Sequence, residues 1–143
     1  MKIRKPIHDN WKTPDDLYRK LDDLFCFDFD PCPLDHDVEE WNGLEIEWGE
    51  RNFINPPYSR KLKEAFVRKG LEESRAGKLC VFLIPVSTST KLFHDVIKPN
   101  ATEIDFLRGR VKFRGYNSNG ELVSNKCGMH DSMIVIFDGR KAA

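Results

Sequence analysis

The sequence has no apolar run approaching the ~20 residues that a membrane-spanning helix needs. Its basic start, Met1-Lys2-Ile3-Arg4-Lys5-Pro6, lacks the apolar stretch that follows in a secretory leader. A cytoplasmic protein with no membrane partner is therefore expected. Net charge is also absent, because 23 basic residues balance 23 acidic ones. That excludes a polycation coating nucleic acid along its whole length. The four cysteines, Cys26, Cys32, Cys80 and Cys127, contain no Cys-x-x-Cys knuckle. Cys32 with His36 and Cys127 with His130 are the nearest approach to ligand pairs, and four ligands would have to converge from unsupported spacings. No metal is expected and the thiols are read as free, with Cys26 and Cys80 as small core residues inside apolar runs. Internal repeats, low-complexity tracts and linkers are missing as well. What remains is 143 residues with 40% apolar content, read as one domain over 1–143 that buries roughly two-thirds of its unfolded surface.

Charge is unevenly placed. Nine carboxylates and no Lys or Arg fall between Asp28 and Glu50. Cations gather at Arg60, Lys61, Lys63, Arg68 and Lys69, and again at Arg108, Arg110, Lys112 and Arg114. An anionic partner on one face and ordinary solvated faces both produce such a pattern.

The pattern of elements predicts an α/β sandwich, mainly parallel with an antiparallel edge. Thr13-Pro14-Asp15-Asp16 reads as a helix start with a hydroxyl cap and proline at the first helical position. Leu17, Leu21 and Leu24 supply that helix with one apolar face. Phe25–Phe29 and Leu44–Trp48 alternate like strands. Phe53-Ile54 is a strand tip, and Ser59 caps a basic helix burying Leu62, Phe66 and Leu71. Leu79–Ile84 is a continuous apolar run, as in a central buried strand, stopped by Pro85. Ser87–Thr90 caps a helix that Pro99 ends. Ile104–Leu107 and Met133–Phe137 close the sheet, with a turn at Asn117–Gly120 between them.

Asn55-Pro56-Pro57-Tyr58 carries the chemistry. Two prolines cannot continue a sheet, since neither has an N–H to donate, so carbonyls are left facing outward at the strand's carboxyl end. An exocyclic amine such as that of adenine is a poor nucleophile, because its lone pair is delocalised into the ring. An Asn side-chain oxygen and a neighbouring carbonyl can hold both amino hydrogens and favour the pyramidal nitrogen that attacks an electrophilic methyl group. Tyr58 offers a stacking face for a base lifted from its helix. A proline-stiffened turn whose Asn caps the following helix is the bland alternative. His94 is followed by Asp95, but no Ser or Cys nucleophile is framed for it.

These residues bring a family into view. Asn-Pro-Pro-Tyr is the signature of adenine-N6 methyltransferases, shared with some glutamine and RNA-base enzymes, and the whole chain resembles the short phage-type DNA adenine methyltransferases (the phage Dam family). The resemblance runs through Asp9–Pro14, Phe27–Cys32, Asn42-Gly43-Leu44 with Trp48, and the tetrapeptide. It continues through Leu83-Ile84-Pro85, Phe93-His94, Arg108–Phe113 and Asp131-Ser132-Met133.

The resemblance implies a compact Rossmann-like fold, S-adenosyl-L-methionine as cofactor, and double-stranded DNA as partner. It implies Asn55, Pro56, Pro57 and Tyr58 as catalytic residues. Trp11, Thr13, Pro14, Asp30, Pro31, Cys32 and Asn55 would bind the cofactor, Thr13-Pro14 at its methionine end. Tyr58, Arg108, Arg110, Lys112 and Phe113 would contact nucleic acid, Phe113 as a second wall of the base pocket. For Arg108–Phe113, a strand with Val111 and Phe113 buried and its charges outside is the other reading.

The chain departs from larger methyltransferases in lacking the glycine-rich loop after Asp30, with only 22 residues between Cys32 and Asn55. The acidic residue that would hold the cofactor ribose is thus unassigned among Asn42, Glu45 and Glu47. Ser87–Thr90 also differs from an Arg- and Asp-containing version in relatives. A separate target-recognition domain is not expected, so sequence readout would fall to loops such as 86–91 or 114–130, in a monomer or homodimer. RNA adenine or protein glutamine as acceptor, and a non-catalytic, zinc-stabilised DNA-binding domain, are the competing readings.

Overall fold

The computed structural model describes residues 12–32, 42–57, 59–116, 122–124 and 130–140, with backbone alone for 114–116 and 122–124. The first helix, α1, spans Asp15–Phe25, with Asp15 and Asp16 facing the positive end of its dipole. Pro14 takes the N-cap position, and its carbonyl accepts the Tyr18 N–H at 3.0 Å. No side chain caps the helix, so the expected hydroxyl cap is absent; Thr13 is engaged elsewhere. Leu21 is buried and Leu17 partly so, but Leu24 is 73% exposed. The helix ends one residue later and Cys26 turns left-handed (φ 53°), which hands the core contacts to Phe25 and Phe27. Cys26 itself is exposed and not a core residue.

This cap explains why the expected strand at Phe25–Phe29 shrinks. Only Asp28 and Phe29 reach the sheet, through Asp28 N–H to the Arg51 carbonyl (2.8 Å) and the Phe29 carbonyl to Phe53 N–H (3.0 Å). The alternation of Leu44–Trp48 does not make a strand either. Asn42 starts a turn there, its side-chain oxygen accepting the Leu44 N–H at 3.0 Å, and the Trp48 indole donates back to the Gly43 carbonyl at 2.7 Å.

Strand β1 (Arg51–Ile54) leads through α2 (Arg60–Arg75) to β2 (Leu79–Pro85), which runs parallel to it. Phe66 is buried in α2 as expected, whereas Leu62 is 41% exposed and Val67 and Gly70 take the inner positions. A methyl group at Gly70 would meet the Phe82 ring at 2.2 Å, so the helix gives up about 1 kcal/mol of propensity to lie directly on β2. A π-helix (Leu92–Ile97) and a short α3 (Lys98–Asn100) follow. Thr90 Oγ1 accepts the Phe93 N–H at 3.2 Å as its cap. The Lys98 N–H bonds to the Phe93 carbonyl, five residues back. Pro99 therefore does not end the helix: the wide turn ahead of it avoids the clash that a proline makes in a regular α-helix.

Strand β3 (Glu103–Phe106) precedes the ladder of β4 (Arg114–Tyr116) with β5 (Leu122–Ser124), and β6 (Ser132–Asp138) comes last. The turn expected at Asn117–Gly120 lies outside the described residues. The main sheet is open and mixed, in the order β1-β2-β6-β3. β1, β2 and β3 run one way and β6 opposes them, antiparallel to both neighbours. The antiparallel strand thus stands inside the sheet and not at its edge, and two of the three ladders are antiparallel, which corrects the expectation of a mainly parallel sheet.

Two cores follow from the alternation. Leu79, Val81, Leu83, Phe53, Ile134 and Ile136 face α1, while Cys80, Phe82, Ile84, Ile54, Val135 and Phe137 face α2 and the π-helix. At the amino end of β2, Lys78 bridges buried Glu73 (2.6 Å), the Trp48 carbonyl (2.8 Å) and Glu47 (3.2 Å). Burial alone would raise the Glu73 carboxyl, but bonds from Lys78, Lys69 and the Trp48 N–H hold it below its ordinary range.

Candidate active site

The carboxyl ends of β1 and of the paired Phe29 segment point the same way, and each runs into a kinked, proline-containing stretch. Asn55, Pro56 and Pro57 are all buried after β1. The Asn55 carbonyl accepts the Cys32 thiol at 3.2 Å, and its amide Nδ2 donates to Thr13 Oγ1 at 3.3 Å. Thr13 and Asn55 are each only 5% exposed. Asp30 accepts the Cys32 N–H at 2.9 Å and closes a tight turn. Three segments distant in sequence are therefore tied into one wall.

That wall encloses a cavity of about 280 Å³. Of the residues expected to hold a cofactor, Thr13, Asp30, Cys32 and Asn55 line it. Pro14 and Pro31 are neighbours in the chain that do not line it; Trp11 and Tyr58 lie outside the described residues. Lys12, Asp15, Tyr18 and Phe53 also line it and were not foreseen. Their signal was one of spacing: Tyr18 stands a helical turn beyond Asp15, and Phe53 shares a strand face with Asn55. Tyr18 meets Phe53 edge to face, with ring centroids 5.2 Å apart, and the pair supplies an aromatic side. None of Asn42, Glu45 and Glu47 lines the cavity, and Glu47 is held by Lys78 at the far end of β2.

The cavity is electrostatically poised. Burial raises the Asp30 carboxyl to about 6, against a smaller lowering by the Cys32 N–H. Burial, and then the charge of Asp30, push the Cys32 thiol well above its ordinary range. Burial followed by Asp22 and Asp30 raises Tyr18. Lys12 pairs with Asp15 at 3.7 Å on the rim. A carboxylate with a desolvated side and an aromatic wall suits an organic cation with a planar ring.

Arg108, Arg110 and Lys112 are exposed, and Gly109 (φ 74°) turns the chain between the arginines. Val111 and Phe113 are buried in the α1-side core with Leu21 and Ile134, so apolar residues point in and cations out. These cations border a groove of about 440 Å³ against Leu17 and Lys20 of α1, separate from the Asn55 cavity. Arg110 pairs with Asp131 at 3.6 Å. Among the described residues no group of three or more His, Cys, Asp or Glu side chains could hold a metal ion.

The geometry defines a mixed α/β domain with a ligand cavity at the carboxyl ends of its strands. The family model for DNA N-6-adenine-methyltransferase (Dam) matches residues 1–142, and the chain belongs to that family. A protein of Escherichia phage T1 described as a DNA N-6-adenine-methyltransferase is 29% identical over 108 residues, covering 68% of this chain and 44% of the phage protein. The chain thus spans less than half the length of that relative. No solved structure matches it.

Proposed function

We propose that this chain transfers a methyl group from S-adenosyl-L-methionine to the N6 of an adenine in double-stranded DNA, on a compact Rossmann-like fold. The observation that carries the reading is the Thr13–Asn55–Cys32 wall. The tetrapeptide's first residue is built into a ligand cavity, tied by side chain and by main chain to the two segments expected to hold the cofactor. A bland proline turn would have no reason to be so placed. Family membership and the phage relative's description support DNA as the substrate.

The donor set fits the cofactor. Asp30 would hold its positively charged portion, the Tyr18–Phe53 side its ring, and Thr13 its polar end. When bound, the cofactor supplies a methyl group already activated by a sulfonium. The chain's own residues then act on the acceptor. With Nδ2 held by Thr13, the Asn55 amide is fixed in orientation, and Oδ1 accepts one amino hydrogen of adenine. The Pro56 carbonyl accepts the other, Tyr58 stacks on the extruded base, and after attack the methylated amine releases its proton to solvent water. Arg108, Arg110 and Lys112 contact phosphates and position the duplex without reading sequence.

Incubation with methyl-labelled cofactor and separate pools of DNA, RNA and protein tests this. Label in DNA, recovered as N6-methyladenine, is expected. Label confined to RNA or protein overturns the acceptor, and no transfer to any pool overturns the reaction.

A further inference from the structure

A second cavity at the carboxyl end of the sheet is larger than the Asn55 site. It lies on the opposite face, between the start of α2 and the π-helix, and measures about 610 Å³. Its floor is Ile84 and Pro85, at the end of β2 that adjoins the tetrapeptide strand, and Met133 of β6 on the other side of β2. Four cations line it, Arg60, Lys63, Arg68 and Lys91, against two carboxylates, Glu64 and Asp95. Arg68 and Glu64 neutralise each other within α2 at 3.1 Å. That leaves Arg60, Lys63 and Lys91 facing a single Asp95. Burial, then repulsion from Arg60, lowers the Lys63 ammonium, which marks a site where positive charge is crowded and an anion would relieve it.

The second wall is the π-helix, which presents Leu92, Phe93 and Asp95 to the groove. An i→i+5 turn is rare, and such turns collect at functional sites.

We infer that this groove takes the phosphodiester backbone of the DNA strand flanking the target adenine, with Arg60, Lys63 and Lys91 as its phosphate ligands. The inference rests on the proposed function and extends it. α2 begins at Arg60, immediately after the tetrapeptide segment, so a strand whose base enters beside Asn55 continues past these side chains. Charge complementarity selects a polyanion, and the apolar floor with Phe93 accommodates sugars and bases alongside it.

The test compares two charge-matched double variants. Lys63→Gln with Lys91→Gln removes two groove cations; Arg75→Gln with Lys98→Gln removes two exposed cations that do not line it. Each lost phosphate contact lowers the slope of log K against log salt by about 0.7 to 0.9. The groove pair should therefore lose about 1.4 to 1.8 from its slope for an adenine-containing duplex. The control pair should keep the wild-type slope, and both should keep the wild-type thermal shift with S-adenosyl-L-methionine. If wild type methylates DNA and the groove pair titrates with the wild-type slope, the groove assignment alone falls. Equal loss in both pairs reveals a general charge effect and overturns it too. If wild type shows no salt-dependent affinity for DNA, or only RNA shows the change, the DNA reading falls and the groove with it.

Discussion

The two cavities at the carboxyl end of the sheet are built on opposite principles. The Asn55 cavity, about 280 Å³, has buried Thr13, Cys32 and Asn55 tied by hydrogen bonds of 2.9 to 3.3 Å, and Asp15 and Asp30 outnumber Lys12. The groove across the sheet, about 610 Å³, is lined largely by helix side chains and is rich in cations. One favours a small cation and the other a long anion. The sheet holds them apart: β1 and α1 deliver Phe53, Asp15 and Tyr18 to the first, while the start of α2 opens the second. Under the proposed function, a near-neutral chain serves a cationic cofactor and a polyanionic substrate by sorting its charge between cavities, acidic at Asn55 and basic in the groove across the sheet and the one at Arg108–Lys112.

The sharpest break of that comparison is Asn55→Ala. Turnover should fall at least about 10² to 10³-fold, the scale of losing a preorganised polar contact in the transition state, while the salt slope for DNA is unchanged. A cofactor Kd shifted more than tenfold would show that Asn55 serves binding more than chemistry.

Lys78→Ala attacks the frame that both cavities share. Removing the shortest contact on buried Glu73, which keeps Lys69 and the Trp48 N–H, should cost about 1.5–3 kcal/mol of stability, seen in chemical denaturation. Because the Glu73 pKa is depressed, its contribution is present above the ordinary carboxylate range and is lost as pH falls through its folded value. Cofactor and DNA binding should fail together on warming. If one survives the other, the faces unfold independently.

A pH series sharpens the contrast. Asp30 titrates near 6 in the folded chain, above its ordinary value of 3.8, so the protonated form is favoured and stability declines as pH rises from about 4 to about 6. A bound cation favours the carboxylate, so cofactor affinity should rise about tenfold between pH 5 and pH 7. Asp30→Asn should flatten that rise and raise stability above pH 6 by roughly 1–3 kcal/mol. DNA affinity should not follow this titration.

The smallest effect belongs to Arg108→Gln. One lost phosphate contact should lower the salt slope by about 0.9 and leave cofactor binding alone. An unchanged slope would confine DNA to the groove on the other face.

Legibility in the sequence followed the range of the forces involved. Leu79–Ile84 and the tetrapeptide could be read directly, because a continuous apolar run and a double proline act on their own backbones. Thr13, Asp30 and Cys32 came from resemblance, and the cavity they line with Asn55 is a tertiary fact. Tyr18 and Phe53 escaped because each looks like ordinary core until α1 is laid against β1. The strand expected at Phe25–Phe29 failed because helix α1 competed for Phe25 and won. The interior place of β6 could not be read at all, since strand order is a property of the sheet and no local pattern encodes it.

The wide turn before Pro99 has a consequence for how this chain can vary. A five-residue hydrogen-bonded turn is a helix carrying one residue more than an α-helix would in the same span. Deleting a single codon between Leu92 and Ile97 would restore ordinary pitch, but would then set the proline ring against the carbonyl four residues before it. The proline can therefore be replaced while the wide turn stays, but the wide turn cannot be lost while the proline stays. A descendant with a tighter groove would have to change Pro99 first.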